Sequence, residues 1–218
     1  MSDRPRTLDY FAPADFDRID PRPDPLFYEA PRYVVHIDDG AIAAVGRLIE
    51  RVAPPRPAVL DLMSSYRSHL PPALEPREVV GVGLNADEMA ANPQLTRWLV
   101  HDLNVEPTPP LPEGHFDLAL CTVSVQYLIQ PLEVFWQVGS LLRAPQPPEP
   151  GGVFLVTFSN RCFPTKAARV WLAGDDAAHL ALVRRYFTLS GCWTDIEAAA
   201  YTPRDGDPLY AVWARRSG

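Results

Sequence analysis

"VLDLMSSYRSHLP", residues 59–71, sets a short apolar run against an acid and a polar loop. It reads as the opening of a cofactor-binding βα unit. A buried strand ends at an acid, Asp61, and a tight loop leads on to a helix. Such a loop usually carries glycines, which let a ligand lie against bare backbone. Here Met63, Ser65 and Arg67 stand in those places. No GxGxxG or P-loop pattern supplies an amide cradle for phosphate, which argues against dinucleotides and nucleoside triphosphates. Ser64 and Ser65 offer hydroxyls where amides would otherwise serve.

Upstream, residues 1–30 read as an irregular arm anchored by Tyr10, Phe11, Phe16, Phe27 and Tyr28. "VVHIDDGAIAAVGRLIERV", from about Val34 to Val52, places Ile42, Val45, Ile49 and Val52 at helical spacing. Downstream, "EVVGVGL", "TRWLVHDL" (ending at Asp102), "FDLALCTVSVQYL" and "GGVFLVTFS" are short apolar runs suited to strands buried on both faces. Between them, "NADEMAANPQL" is a short helix with Asn85 as its N-cap, and "PLEVFWQVGSLLR" a longer one. "WTDIEAAAYT" and "PLYAVWARR" flank the turn signal "PRDGD" and form a closing hairpin. Proline, 25 residues of 218, clusters at the ends of these runs and punctuates them. The pattern predicts an α/β three-layer sandwich: a mostly parallel, doubly wound, seven-stranded sheet with a C-terminal antiparallel hairpin. Residues 1–55 form an N-terminal arm and cap helix, and 56–218 the sheet domain.

The formal net charge of −7 argues against neutralisation of nucleic-acid phosphates. Three cysteines, Cys121, Cys162 and Cys192, are scattered with no CxxC pair, which speaks against a disulfide framework or a thiolate metal site. "MSDRPRTLDYF" lacks the apolar core of a signal peptide, and no run approaches a membrane span. The expectation is a cytoplasmic protein with a small-molecule ligand, no metal, and neither nucleic acid nor membrane as partner. Oligomeric state is left open.

The order of these features resembles the class I S-adenosylmethionine-dependent methyltransferases, whose domain is Rossmann-like. "VLDL" is similar to that family's opening motif, and "VVGVGLNADEM" to its second strand and following helix. "HDLNVEPTPPLPEGHFDLALCTVSVQYL" resembles its third loop and fourth strand, and "LLRAPQPPEPGGVFLVTFSN" its Pro-Gly-Gly turn and fifth strand. "LFYEAPRYVVHIDDGAI", "DLMSSYRSHLP" and "FSNRCFPTKA" resemble a poorly characterised branch with a glycine-poor first motif. The resemblance implies S-adenosylmethionine as cofactor and methyl transfer to a small molecule. The alternative is a catalytically inactive binding or scaffold protein on the same fold.

By that resemblance Asp61 organises the methionine end, with Met63, Ser64 and Ser65 beside it. Asp102 and the backbone of Leu103 meet the adenine, and Thr122 and Val123 line the floor. The acid that usually grips the ribose is replaced by Gly83, and Asn85 or Glu88 stands near enough to compensate. Candidate bases are His36, Asp38, Tyr66 and His69, although a surface or hydrogen-bonded structural role is the commoner fate of such residues. Arg32 and Arg67 are candidates to pair with a carboxylate on the substrate or the cofactor.

Overall fold

The computed structural model describes residues 4–218; residues 1–3 of the predicted arm lie outside them. Seven strands run β1 Ala58–Leu62, β2 Glu78–Gly83, β3 Arg97–Val100, β4 Leu118–Thr122, β5 Val153–Phe158, β6 Trp193–Tyr201 and β7 Leu209–Arg216. Their order across the sheet is β3-β2-β1-β4-β5-β7-β6. The first five are parallel, and β7 enters antiparallel between β5 and β6. This is the mostly parallel sheet with an antiparallel hairpin that the apolar runs predict. The parallel order reverses between β1 and β4, so a crevice opens beyond their carboxyl ends.

Side chains alternate across the sheet with period two. Val59, Val79, Leu118, Leu120 and Leu155 point to one face, where helix α2, Asp39–Val52, lies over them. α2 buries Val45, Ile49 and Val52 of the stripe read from its spacing, together with Ala41 and Ala44, while Ile42 is only half-buried at its edge. Leu60, Val80, Ala119, Phe154 and Val156 point to the other face, under α4, Pro131–Leu141, and α6, Asp176–Ser190. Phe135, Phe154, Phe187 and Trp193 meet there edge to face or tilted. Cys121 is buried in that second layer, and burial raises its thiol far above its ordinary range.

Three boundaries differ from the sequence reading. The helix expected from Val34 begins at Asp39, because the Asp38 carboxylate accepts from the Ala41 amide (2.8 Å) and caps it. Residues 34–37 are therefore free to extend across the carboxyl edge of the sheet. The third strand stops at Val100, and Asp102 lies in the following turn, where its carboxylate accepts from the Asn104 amide (2.9 Å). The helix expected after the first loop is absent, and residues 63–77 are coil. Pro71, Pro72 and Pro76 remove the amides a helix would need. The loop's polar groups are also already committed: Ser64 N donates to Val82 O (2.8 Å), and Asn92 Nδ2 donates to Ser65 O (2.9 Å).

The arm crosses the carboxyl edge of the sheet and is tied there through a short helix, α1, Asp24–Phe27. The Asp24 carboxylate is buried and accepts from Arg18 Nη1 (2.7 and 2.8 Å) and Asn104 Nδ2 (2.9 Å). Lys166 Nζ sits 3.2 Å from the same carboxylate and donates to Arg22 O (2.7 Å), with its side chain fully buried. Removing the acid would leave the buried Arg18 guanidinium without a counterion and the ammonium with only Asp20, 3.5 Å away. Asp24→Ala is therefore expected to lower the unfolding free energy by about 3–5 kcal/mol, read by urea denaturation. A loss below 1 kcal/mol would show that the arm is not held through this acid.

Candidate functional site

A cleft of about 1230 Å³, counting its open mouth, lies where the ends of β1, β2 and β4 meet the arm. Every cofactor-contact and base residue inferred from sequence lines it, except Asp38. Asp38 instead caps α2 and exchanges hydrogen bonds with Asp207 at the cleft's outer rim (3.0 and 2.7 Å).

Asp61 stands at the centre of the floor. Its Oδ2 accepts from Ser64 Oγ (2.6 Å) and Ser68 Oγ (2.7 Å), and Ser68 Oγ in turn accepts from Asn92 Nδ2 (3.0 Å). Burial raises the carboxyl to about 6, against the opposing pull of the two serine hydroxyls. The serines thus clasp one oxygen of an acid that has lost its water. Met63 follows directly at φ 54°, the left-handed backbone for which glycine is the usual choice, so the loop keeps a glycine-like path around a larger side chain. Val123 repeats the arrangement at the end of β4, with φ 53° on a branched residue. It is held by Val123 N to Thr157 O (2.8 Å) and by Gln126 Nε2 to Val123 O (2.9 Å). A strained backbone of this kind costs roughly 1–3 kcal/mol and persists only where the surroundings impose it.

At the end of β2, a Cβ on Gly83 would collide with the Ser64 carbonyl oxygen and press on Met89 Sδ at 3.0 Å. An acid therefore cannot stand there. A buried carboxylate follows five residues on, Glu88, on α3, Ala86–Ala90. Its Oε1 accepts from Arg32 N (2.7 Å) and its Oε2 from Ser65 Oγ (2.6 Å), which leaves lone pairs on both oxygens. Asn85 is already occupied. Its Oδ1 caps α3 through Glu88 N (3.0 Å), and its Nδ2 donates to Tyr28 O (2.8 Å) and Glu29 O (3.2 Å). At the far end Leu103 is buried and Asp102 half-buried, and Thr122 borders the floor beside Val123.

The roof comes from the arm and the loop. His36 packs edge-on against Phe163, and Tyr66 against Tyr33. Burial lowers the His36 imidazole, with Glu88 opposing and Arg32 reinforcing the shift. Burial likewise takes His69 to about 4, helped by Arg67 and His36. Arg67 itself is exposed, with its guanidinium 5.6 Å from the Tyr66 ring, and does not fill the cleft. Asn104, Tyr127, Phe163 and Lys166 also line the cleft without any signal in the sequence, and Tyr28, read there as an anchor of the arm, joins them. Only the fold brings the loops after β3, β4 and β5 against the arm. Among the described residues no group of three or more His, Cys, Asp or Glu side chains is placed to hold a metal ion, and no helix is long and apolar enough to cross a membrane.

No protein-family model and no curated protein matches this chain. Solved structures share its fold at low sequence identity. An S-adenosylmethionine-dependent methyltransferase from Mesorhizobium loti aligns at TM-score 0.54 and 19% identity, over 82% of this chain and 99% of that one. Phosphoethanolamine N-methyltransferase 2 of Haemonchus contortus, in complex with S-adenosyl-L-methionine, aligns at 0.57 and 14%, over 83% of this chain and 53% of that one. The [4+2]-cyclase SpnF aligns at 0.59 and 13%, over 89% and 93%. The chain has the class I methyltransferase fold.

Two substitutions test this geometry. The folded state holds the Asp61 proton more tightly than the unfolded chain does. Its contribution to stability is therefore greatest below about pH 4 and is lost as pH rises through about 6. Asp61→Asn is expected to exceed the parent in stability by up to about 3 kcal/mol at pH 8, with the gap closing toward pH 4. Urea unfolding at the two pH values reads it, and a less stable Asn variant at pH 8 would contradict the buried-acid account. Gly83→Ala is expected to cost roughly 1–3 kcal/mol through the Ser64 collision.

Proposed function

We propose that this protein binds S-adenosylmethionine in the cleft and catalyses methyl transfer to a small molecule. The observation that carries the proposal is the meeting of three carboxylates, Asp61, Glu88 and Asp102, along one crevice at the reversal point of this sheet order. Asp61, clasped on Oδ2 only, keeps Oδ1 for the ammonium of the methionine end. Glu88 takes the ribose hydroxyls in place of the acid excluded at Gly83. Asp102 and the Leu103 backbone meet the adenine, while Leu62, Thr122 and Val123 provide an apolar floor. A sulfonium nucleoside has no phosphate, so the missing amide cradle is no obstacle.

The bound cofactor supplies an electrophilic methyl group; the chain's own residues position the acceptor and handle its proton. The arm borders the crevice and limits the poses an acceptor can take, so placement against the methyl contributes most of the acceleration. His36 is the better base of the two imidazoles, because His69, held near 4, is a poor proton acceptor at neutral pH. His36 would take the proton the acceptor loses as its bond to the methyl carbon forms. Tyr66 frames the entrance.

Calorimetric titration with S-adenosylhomocysteine tests the reading. The parent is expected to bind it, and Asp61→Ala and Glu88→Gln are each expected to weaken binding about ten- to a hundredfold, the equivalent of one charged hydrogen bond. His36→Ala should leave that affinity within a factor of three. A parent titration that stays flat to millimolar ligand would remove the proposal.

A further inference from the structure

Arg32 is a cation without a counterion inside the cleft. Its Nη1 is buried with no hydrogen-bond partner, and among the described residues its guanidinium makes no ion pair. Only its backbone amide is engaged, on Glu88. The other cations of the arm's anchorage, Arg18 and Lys166, are both paired with Asp24. The Arg32 guanidinium lies 4.3 Å from the centre of the Phe27 ring and 5.6 Å from those of Tyr28 and Phe163. These rings hold its plane in place but accept no hydrogen bond of ordinary strength, so the guanidinium's donors stay unspent. A half-desolvated, unpaired guanidinium is costly unless an anion completes it.

We infer that Arg32 is the anchor for an anionic group, a carboxylate or a phosphoryl, on the methyl acceptor. This rests on the function proposed above and adds the chemical class of its substrate. Placement favours the acceptor over the cofactor's own carboxylate. The methionine end is marked by Asp61, in β1, and by the serines of the loop that follows it. The guanidinium is caged instead by the arm and by Phe163, which follows β5. His36 packs on the same Phe163 ring, 5.0 Å between centres. An acceptor held by its anion at Arg32 therefore presents the rest of its body beside His36. Arg67, the other arginine on the cleft lining, is exposed and beside the Tyr66 ring, so its charge stays solvated and does not call for an anion as the partly buried Arg32 does.

The test uses the whole chain saturated with S-adenosylhomocysteine and titrated separately with benzoate and with inorganic phosphate. At least one anion is expected to bind, and the two arms tell a carboxylate site from a phosphoryl site. Arg32→Gln should weaken that anion more than tenfold while changing S-adenosylhomocysteine affinity less than threefold. If Arg32→Gln fails to fold, Arg32→Met, which keeps the stem against Phe27, is read by the same criteria. The inference is overturned if neither anion binds, if the variant binds the anion as tightly as the parent, or if the nucleoside is lost with it. In the last case Arg32 belongs to the cofactor's carboxylate. A parent that ignores S-adenosylhomocysteine yet binds an anion through Arg32 would remove the methyl-transfer reading and leave the anion anchor standing.

Discussion

The buried carboxylate of Asp61 and the two serine hydroxyls that clasp it determine the course of the chain after β1. An acid at the end of an inner strand must find donors, and the loop turns back within a few residues to supply them from Ser64 and Ser68. That turn carries the Ser64 backbone onto the end of β2, where its amide meets Val82 O and its carbonyl fills the space beside Gly83. The absence of a ribose-gripping acid at position 83 and the presence of serines in the loop are therefore one structural fact. A side chain at 83 and this loop path exclude each other, and in the proposed binding mode Glu88, five residues on, supplies the acid.

The arm converts an edge of the sheet into a walled cleft. It is bonded to the turn after β2 through Asn85 and Glu88, to the turn after β3 through Asn104, and to the segment after β5 through Lys166. Each tie is at least partly buried, so breaking it would leave a partly desolvated group short of a partner. The loops that carry the candidate ligand contacts are consequently fixed relative to one another by the arm as well as by the sheet.

The strands were legible because their residues alternate between two packed faces and prolines mark their ends. The switch-point rule then located the crevice from the strand ends alone. The crossover from β1 was misread as a helix because a polar loop after a buried acid is also how a βα unit begins. What separated the two cases was the pair of hydroxyls spent on Asp61, a tertiary fact. Likewise "VVHI" looked like the first turn of α2 until Asp38 proved to be its cap. Within the site, Asn85 and Glu88 were equal candidates on the page of letters. They are distinguished only by which lone pairs and donors the folded chain has already used. Arg32 and Arg67 were separated in the same way, since burial without a partner cannot be read from residue type.

The charge arrangement that results is polarised across the cleft. Asp61, Glu88 and Asp102 run along the floor, the Lys166 ammonium behind them is neutralised by Asp24, and the unpaired guanidinium of Arg32 hangs from the arm above. In a narrow space bounded by apolar walls such a field is screened less than at a surface. A ligand that is cationic where it meets the floor gains from it. A second molecule bearing an anion gains under the roof, and opposite charges then draw the two toward each other. A single flat anionic ligand on the floor would meet three carboxylates, and a wholly cationic acceptor would meet Arg32. The polarity of the cleft therefore favours an ordered pair of ligands, the cation beneath and the anion above, with the His36 imidazole at their junction.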